Sequence, residues 1–198
     1  MKNSNTNRKI LFLGSSDNPV CKRLRENHDV LAWKDPLKTD HKFMQCSDYI
    51  FSFGYKYILK QEILSKLARA PINLHISYLP WNRGADPNLW SFLDKTPSGV
   101  SIHCIEEGVD TGPILAQKKV DHNIESETLA TSYKKLICEI EDLFFKILPS
   151  ILRNEIEPKN QIRGGTSHRL KDKKKYLKLL HSGWDTPLRD IWGAACAS

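Results

Sequence analysis

The chain has 198 residues, of which 40% are hydrophobic and 27% are charged, and its formal net charge is +7. These values indicate one globular domain with a short appendage, and no apolar run approaches the length of a membrane span. The polar N-terminus, MKNSNTNRKI, is not a secretory signal, so we expect a cytoplasmic protein without a membrane partner.

Strand-like and helix-like segments alternate through the first half of the chain. Short apolar runs predict strands at 9–14, 28–33, 48–55 and 72–76. Between them, a short helical stretch and an apolar stripe at helical spacing predict helices at 21–26 and 58–69. This order is typical of parallel strands that are connected by helices.

The second half predicts a helix, two strands around a Gly-Val-Asp-Thr-Gly loop, and one long amphipathic helix, at 88–95, 99–107, 113–120 and 125–152 respectively. The long helix is expected to begin at Ser126 or Glu127 and to be interrupted near Pro149. The alternation as a whole predicts an α/β fold with a doubly wound, mostly parallel sheet. Ligands bind at the carboxyl ends of the strands in such sheets.

The predicted main domain covers residues 1–152. Residues 153–198 are polar and contain a Gly-Gly pair and a basic run, so we expect them to form a C-terminal extension packed on the same domain. A homodimer is an open alternative, with an interface formed by the strand near 113–120 and this extension.

Charge and cysteine usage limit the partners. The net charge favours an anionic partner, either nucleic acid or a phosphorylated or carboxylated small molecule. The basic run RLKDKKKYLK (169–178) is more typical of a solvated helix face than of a binding surface.

The cysteines show no CxxC spacing, so we expect neither a structural zinc site nor a disulfide framework. Most of them are predicted to be reduced thiols in or near the core: Cys21, Cys46, Cys104, Cys138 and Cys196.

Several common active-site motifs are missing. The first predicted strand ends in GSSDNP, whose single Gly does not form the GxGxxG dinucleotide fingerprint. The sequence also lacks a GxxxxGKS or GxxxxGKT phosphate loop, a GxSxG nucleophile elbow and an HExxH zinc motif. These absences remove the main support for a kinase, a hydride-transfer enzyme, a serine hydrolase or a zinc protease.

Three polar residues form the most informative pattern in the sequence. Asn73 and His75 are two apart on a predicted strand, so their side chains project from one face, and Asp110 lies in the loop GVDTGP. Together they suit acyl transfer to an amine, because an amide or imidazole stabilises an oxyanion and an imidazole with a carboxylate moves protons. A hydrogen-bonded structural pair and an Asx turn are the alternative. His103 and His122 are expected to be structural.

The stretches INLHISYLPWNRGADPNLW (72–90) and GVSIHCIEEGVDTGPILAQ (99–117) resemble the folate-dependent formyltransferase domain, and the resemblance covers about residues 8–150. This domain is shared by glycinamide ribonucleotide, methionyl-tRNA and nucleotide-sugar formyltransferases. The resemblance implies that Asn73, His75 and Asp110 are the catalytic trio on a doubly wound sheet. It also implies 10-formyltetrahydrofolate as the formyl donor, and no metal.

The resemblance also implies where the folate binds. The segment SFGYKYILK (52–60) is similar to the one whose backbone receives the pterin ring, which indicates Lys56, Tyr57, Ile58 and Leu59. The other wall of the folate pocket is implied to be formed by the residues just before Asp110: Ile105, Glu106, Glu107, Gly108 and Val109.

The acceptor is implied by the loop after His75 and by the GGTSHR and GWDTP segments, which are most similar to small bacterial sugar N-formyltransferases. Those enzymes formylate an amino-deoxy sugar linked to a nucleoside diphosphate, for surface glycans such as lipopolysaccharide O-antigen. The implied partners are therefore a nucleotide-linked amino sugar and folate, without nucleic acid. The candidate substrate-binding residues are Trp81, Arg83, Asp86, Asn88 and His168.

Four of these candidates have structural alternatives. Trp81 would stack on a sugar or base, or cover the edge of the core. Arg83 would contact phosphate or brace its loop. Asp86 would bind a sugar hydroxyl or cap the following helix, and His168 would contact the ligand beside flexible glycines or be an ordinary surface residue.

Other functions remain open at the level of sequence. Another amine acceptor such as glycinamide ribonucleotide is one, although GSSDNP is a poor version of the phosphate loop of the purine enzymes. The tRNA enzymes carry a large C-terminal domain, in contrast to the short segment after residue 152. A deformylase would use the same trio to activate water. An RNA-binding module is supported by the basic tail alone.

Overall fold

The computed structural model describes residues 7–196, so most of the polar N-terminal segment and the last two residues of the predicted extension lie outside the described residues. The described chain divides into two compact units. The first unit contains residues up to 74 and residues 104–108, and the second contains residues 75–103 and those from 109 onward.

The first unit is built on four parallel strands, β1 (Lys9–Leu13), β2 (Asp29–Trp33), β3 (Tyr49–Ser52) and β4 (Ile72–His75, whose last residue belongs to the second unit). β1 pairs with both β2 and β3, and β4 pairs with β3. β1 and β3 are buried almost throughout, as expected for apolar runs without polar alternation. Its short helices are α1 (Pro19–Leu24), α2 (Lys42–Cys46) and α3 (Gln61–Leu64).

The second unit contains the remaining strands and the longest helix. Its strands are β5 (Arg83–Gly84), β6 (Gly99–Cys104), β7 (Ile114–Lys119) and β8 (Ser167–His168). β6 and β7 are antiparallel, whereas β5 and β8 form a short parallel ladder. Its helices are α4 (Pro87–Leu93), α5 (Leu129–Leu152), α6 (Leu188–Ile191) and two 3₁₀ helices, Asp172–Leu179 and Gly183–Asp185.

Helix α5 packs a mainly apolar face into the second unit. Its buried residues recur every three or four positions: Leu129, Ser132, Leu136, Ile140, Phe144, Leu148 and Ile151. The helix begins at Leu129 because Thr128 accepts a hydrogen bond from the Thr131 N–H, so the predicted start at Ser126 or Glu127 is wrong. Glu127 instead bonds His122 and the Asn123 N–H. The predicted interruption at Pro149 is also wrong, since the helix continues to Leu152.

Residues after 152 pack against elements of the second unit. Tyr176, Leu188 and Ile191 join an apolar cluster with residues of α4 and with Leu129. The predicted basic helix is the 3₁₀ helix Asp172–Leu179, with Tyr176 buried and most of its lysines exposed. Within residues 7–196, no helix is long and apolar enough to cross a membrane.

The predicted α/β class with a mostly parallel sheet is confirmed, and each predicted strand overlaps an observed strand of the sheet. The helix predicted over 58–69 is wrong, because only α3 is helical there and Leu59 reaches an apolar cluster from an extended segment. The expected core location of most thiols is wrong as well. Cys21 is buried and Cys104 is half-buried, whereas the other three cysteines are exposed: Cys46, Cys138 and Cys196.

Replacing Phe144 with Ala tests the contribution of α5 to stability. Its side chain is fully buried, so we expect the free energy of unfolding to fall by about 3–5 kcal/mol. Tyr133→Ala is the control on the same helix; its side chain is 46% exposed, and the expected change is within about 0.5 kcal/mol. Urea denaturation followed by circular dichroism measures both. Equal losses in the two variants would contradict this assignment of the buried face.

Candidate active site

The carboxylate of Asp110 lies between two histidine rings in the second unit. Its Oδ2 atom is 3.6 Å from Nε2 of His75, and its Oδ1 atom is 3.5 Å from Nε2 of His103. The Gly84 N–H donates a hydrogen bond of 2.9 Å to Oδ2. Both histidines are buried and the Asp110 side chain is only 15% exposed. The carboxylate is therefore fixed by two rings and one backbone amide.

These surroundings determine the protonation states of Asp110 and His75. Burial alone raises the pKa of Asp110, but the attraction of His75 when that ring is protonated, and the hydrogen bonds from His103 and Gly84, outweigh it, so the pKa lies well below the ordinary value. Burial lowers the pKa of His75 by more than the neighbouring carboxylate of Asp110 raises it. Near pH 7, Asp110 is therefore ionised and His75 is neutral.

The surroundings of His75 also indicate its tautomer. Nε2 lies 3.4 Å from the carbonyl oxygen of Asn82 and 3.6 Å from Asp110 Oδ2. Both neighbours are acceptors, so in a neutral ring the hydrogen belongs on Nε2. Nδ1 then carries the lone pair that can accept a proton.

Gly84 occupies a position that excludes a side chain. Its φ is +89°, and a Cβ atom there would collide with the carbonyl oxygen of His168 on the neighbouring strand β8. The close approach of β5 and β8 thus fixes the amide that holds Asp110. Asn82, two residues before Gly84, is buried and forms hydrogen bonds with the side chains of Thr96 and Thr166. The GGTSHR segment therefore clamps the loop that follows His75.

Gln161 connects this loop to the loop that carries Asp110. Its Nε2 donates to the carbonyl oxygens of Asp110 (2.8 Å) and Gly112 (2.9 Å). Its Oε1 accepts two hydrogen bonds from the guanidinium of Arg83, at 2.8 and 3.2 Å. One side chain of the C-terminal extension thus restrains both segments of the site. Sequence reasoning missed Gln161, because a lone Gln in a polar tail carries no signal.

The structure brings together two of the three predicted catalytic residues within the second unit, His75 and Asp110. Asn73 is half-buried on β4, two residues before His75, and strand alternation directs its side chain to the same side. His103 was expected to be structural, yet it contacts the Asp110 carboxylate directly. The sequence feature that indicated this contact is the position of His103 on the strand that leads into the Asp110 loop. His122 is bonded by Ser98 and Glu127.

The predicted folate-binding residues of the first unit form an apolar wall with an exposed rim. Leu59 is buried and Ile105 packs against the same apolar cluster. Residues 55–60 lie outside helix and strand, so their backbone groups are not used in regular ladders. The others are exposed: Lys56, Tyr57, Ile58, Glu106, Glu107, Gly108 and, at the start of the next segment of the second unit, Val109.

Two of the predicted substrate-binding residues have mainly structural contacts. Arg83 braces its loop by bonding Gln161 and the Gly164 carbonyl oxygen. The Asn88 side chain is 3% exposed, and its amide nitrogen donates to the Leu129 carbonyl and the Ser132 hydroxyl. Both donor positions of Asn88 therefore tie α4 to α5, and it has no amide hydrogen left for a sugar.

The other three candidates also have neighbours within the protein. Asp86 forms an ion pair of 2.8 Å with Lys173. It is the N-cap residue of α4, as the alternative expected, but its side chain makes no capping hydrogen bond. His168 stacks on Trp90 with ring centroids 3.8 Å apart, and its Nε2 is 2.9 Å from Asp94. Trp81 is half-buried.

A buried imidazole–carboxylate pair on a mostly parallel α/β fold can relay a proton, as acyl transfer to an amine requires. A family model described as formyl transferase matches residues 36–148. The chain belongs to this family, which confirms the resemblance seen in the sequence.

Similarity to one solved structure extends over almost the whole chain. The formyltransferase PseJ from Anoxybacillus kamchatkensis, crystallised with UDP-4,6-dideoxy-4-formamido-L-AltNAc and tetrahydrofolate, is 45% identical. The match covers 94% of this chain and 99% of that one, with a TM-score of 0.90.

Two curated relatives match about half of the chain. The bifunctional polymyxin resistance protein ArnA of Wigglesworthia glossinidia brevipalpis is 37% identical over 110 residues, 55% of this chain. Methionyl-tRNA formyltransferase of Myxococcus xanthus is 36% identical over 106 residues, 53% of this chain. The matches span only 17% and 34% of the lengths of these two relatives.

The charge state of His75 can be measured directly. Because its pKa is lowered from 6.5, we expect the ring to be mostly neutral at pH 6.5, where an ordinary histidine is half protonated. Asp110→Asn should lower this pKa further, since the carboxylate raises it. Nitrogen-15 NMR titration of the histidine rings measures both, with His75→Gln to assign the signal. A titration midpoint at or above 6.5 would contradict the burial argument.

Proposed function

We propose that this chain transfers a formyl group from 10-formyltetrahydrofolate to the primary amine of an amino-deoxy sugar linked to a nucleoside diphosphate. The observation that carries the proposal is the ionised Asp110 carboxylate beside the buried, neutral ring of His75. The similarity to PseJ along 94% of the chain supports the choice of donor and acceptor.

Asn73 is proposed to bind the formyl oxygen. An amide N–H aimed at this oxygen stabilises the negative charge that develops there when the amine attacks the formyl carbon. The strand fixes the backbone of Asn73, so the donor needs little rearrangement during the reaction. His75, two residues further on, is placed on the same side of the strand.

Asp110 and His75 are proposed to orient the amine and to relay its proton. The carboxylate accepts an N–H of the amine, directly or through a water molecule, and opposes the positive charge that grows on the attacking nitrogen. With Nε2–H facing acceptors, Nδ1 of His75 is the atom that accepts a proton. The amine loses one proton and the leaving nitrogen gains one, so the residues need only pass it on.

The donor is proposed to lie against Leu59 and Ile105, with the backbone of 56–59 bonding the edge of its pterin ring. Both side chains belong to the same apolar cluster, which fits a planar heteroaromatic group. The bound folate would supply the activated formyl group. Trp81, Asp86 and His168 remain candidates for contacts with the sugar. The cytoplasmic location, a homodimer and a role in surface-glycan synthesis such as O-antigen stay predictions.

Removing the amide or the carboxylate tests these roles. We expect Asn73→Ala and Asp110→Ala each to lower formyl transfer by about 100-fold or more, because each removes a group that is proposed to interact with the reacting atoms. Mass spectrometry of a panel of nucleotide-linked amino sugars, incubated with protein and 10-formyltetrahydrofolate, detects the added formyl group. Asp142→Ala, a change at an exposed carboxylate, is the control.

Three results would contradict the proposal. Substantial transfer by the Asp110→Ala protein, with the fold intact by circular dichroism, would remove that residue from the mechanism. Formate release without any amine would identify a deformylase. Formylation of glycinamide ribonucleotide in preference to every nucleotide sugar would identify a different acceptor.

Substitution of Gln161 gives a second prediction, because loss of its hydrogen bonds should shift Asp110 and thereby slow the reaction. Gln161→Glu keeps the acceptor for Arg83 but removes the donor to the Asp110 and Gly112 carbonyls. Both Gln161→Ala and Gln161→Glu should lower kcat about 10-fold, with the KM for folate nearly unchanged, because a shifted catalytic group loses rate. Asn160→Ala, at the exposed neighbouring position, is the control. Wild-type kcat in Gln161→Glu would show that the donor bonds do not matter.

A further inference from the structure

Asn82 lies in the loop between β4 and β5, and only 1% of its surface is exposed. Its φ is +55°, in the left-handed region that residues other than Gly, Asn and Asp rarely adopt. An amide side chain that is buried in this way costs free energy unless its polar atoms are bonded. The contacts of this side chain therefore decide whether the loop keeps its path.

Two threonines bond the side chain and the backbone of Asn82. Its Nδ2 donates to Oγ1 of Thr96 at 2.8 Å. The Thr166 hydroxyl donates to Oδ1 of Asn82 at 3.0 Å and accepts from the Asn82 N–H at 2.9 Å. The next peptide is held as well, because the Arg83 N–H donates to the Thr166 carbonyl at 2.9 Å. The conformation of Asn82 is thus fixed by the turn after α4 and by the C-terminal extension.

The backbone that is fixed in this way contacts both ionisable groups of the candidate active site. The carbonyl oxygen of Asn82 is 3.4 Å from Nε2 of His75. Two residues later, the Gly84 N–H donates to Oδ2 of Asp110 at 2.9 Å. One short stretch of chain therefore presents an acceptor to the imidazole and a donor to the carboxylate. The side chain of Asn82 acts on these contacts through the path of the chain.

We propose that Asn82 is a positioning residue for formyl transfer, whose side chain, bonded to Thr96 and Thr166, holds its own carbonyl against Nε2 of His75. The hydrogen of the neutral ring then stays on Nε2, and Nδ1 is left to accept the proton. This inference rests on the proposed function, in which His75 relays the proton of the amine. Without the bonds to the threonines, the carbonyl is no longer held, and Nε2 loses one of its two acceptors.

Asn82→Gly removes the side chain, whereas glycine still adopts a positive φ without strain. We expect kcat for formyl transfer to fall about 10-fold or more, with the KM values for folate and for the amino sugar nearly unchanged, because a misplaced proton relay loses rate rather than affinity. Asn154→Gly is the matched control, since Asn154 also has a φ of +55° but is exposed. Mass spectrometry of the formylated sugar over time measures the rate.

Substitution of Thr166 tests the same bonds from the side of the C-terminal extension. Thr166→Val removes the hydroxyl at nearly constant volume and should also lower kcat, whereas Thr166→Ser keeps the hydroxyl and should retain most of the rate. The double variant Asn82→Gly/Thr166→Val should lose no more than the slower single variant, because both changes break the same hydrogen bonds. Fully additive losses would show that Thr166 acts by another route and would contradict the proposed bond between the two residues.

The pKa of His75 gives a measurement that needs no turnover. The Asn82 carbonyl is one of the groups that raise this pKa, so nitrogen-15 NMR titration should find it lower in Asn82→Gly than in the wild type. Asp110 and His103 also act on the ring, but they are the same in every variant. A role of Asn82 in stability alone would lower the melting temperature and leave both this pKa and kcat unchanged.

The outcomes separate this inference from the proposed function. If the wild-type protein formylates nucleotide sugars but Asn82→Gly, folded by circular dichroism, keeps its kcat and its His75 pKa, Asn82 is not a positioning residue. If the His75 pKa falls in Asn82→Gly and Thr166→Val while the wild-type protein formylates no amine, the positioning of the ring stands and the proposed function fails. An equal loss in Asn154→Gly would also overturn the inference, because the effect would then not be specific to Asn82.

Discussion

The hydrogen bond from the Gly84 N–H to Asp110 is the contact on which the site depends. A carboxylate that is mostly buried is costly to ionise unless polar groups surround it. Here one of those groups belongs to the backbone, so the position of the carboxylate follows the path of the chain from Asn82 to Asp86. That path is itself fixed by contacts with the C-terminal extension.

The lowered pKa values of both Asp110 and His75 give this site its chemical character. Asp110 remains an anion across the physiological range, whereas His75 remains an uncharged base. An ionised carboxylate is a poor proton acceptor but a good partner for a nitrogen that becomes positive. A neutral imidazole can accept and return a proton. The different roles of the two groups therefore follow from the burial of His75 and from the histidines and backbone amide around Asp110.

Much of the fold and part of the site could be predicted from the sequence. The strands were predictable because a buried parallel strand is a short apolar run between polar loops. The helix over 58–69 failed because residues at helical spacing, such as Leu59, can also enter the core from an extended segment. His75 and Asp110 were found through motifs. Gln161 was not, since its bond to Asp110 joins residues 51 apart and a single sequence carries no record of that contact.

The collision that a side chain at Gly84 would make with His168 has a consequence for engineering. A Cβ atom on Gly165 would likewise collide with the Pro80 carbonyl, so the loop and the extension touch through their backbones at two places. Backbones this close leave no room to absorb an insertion or a change of register. Chimeras that exchange this loop between related proteins should therefore transfer the 80–86 loop and the 161–168 segment together.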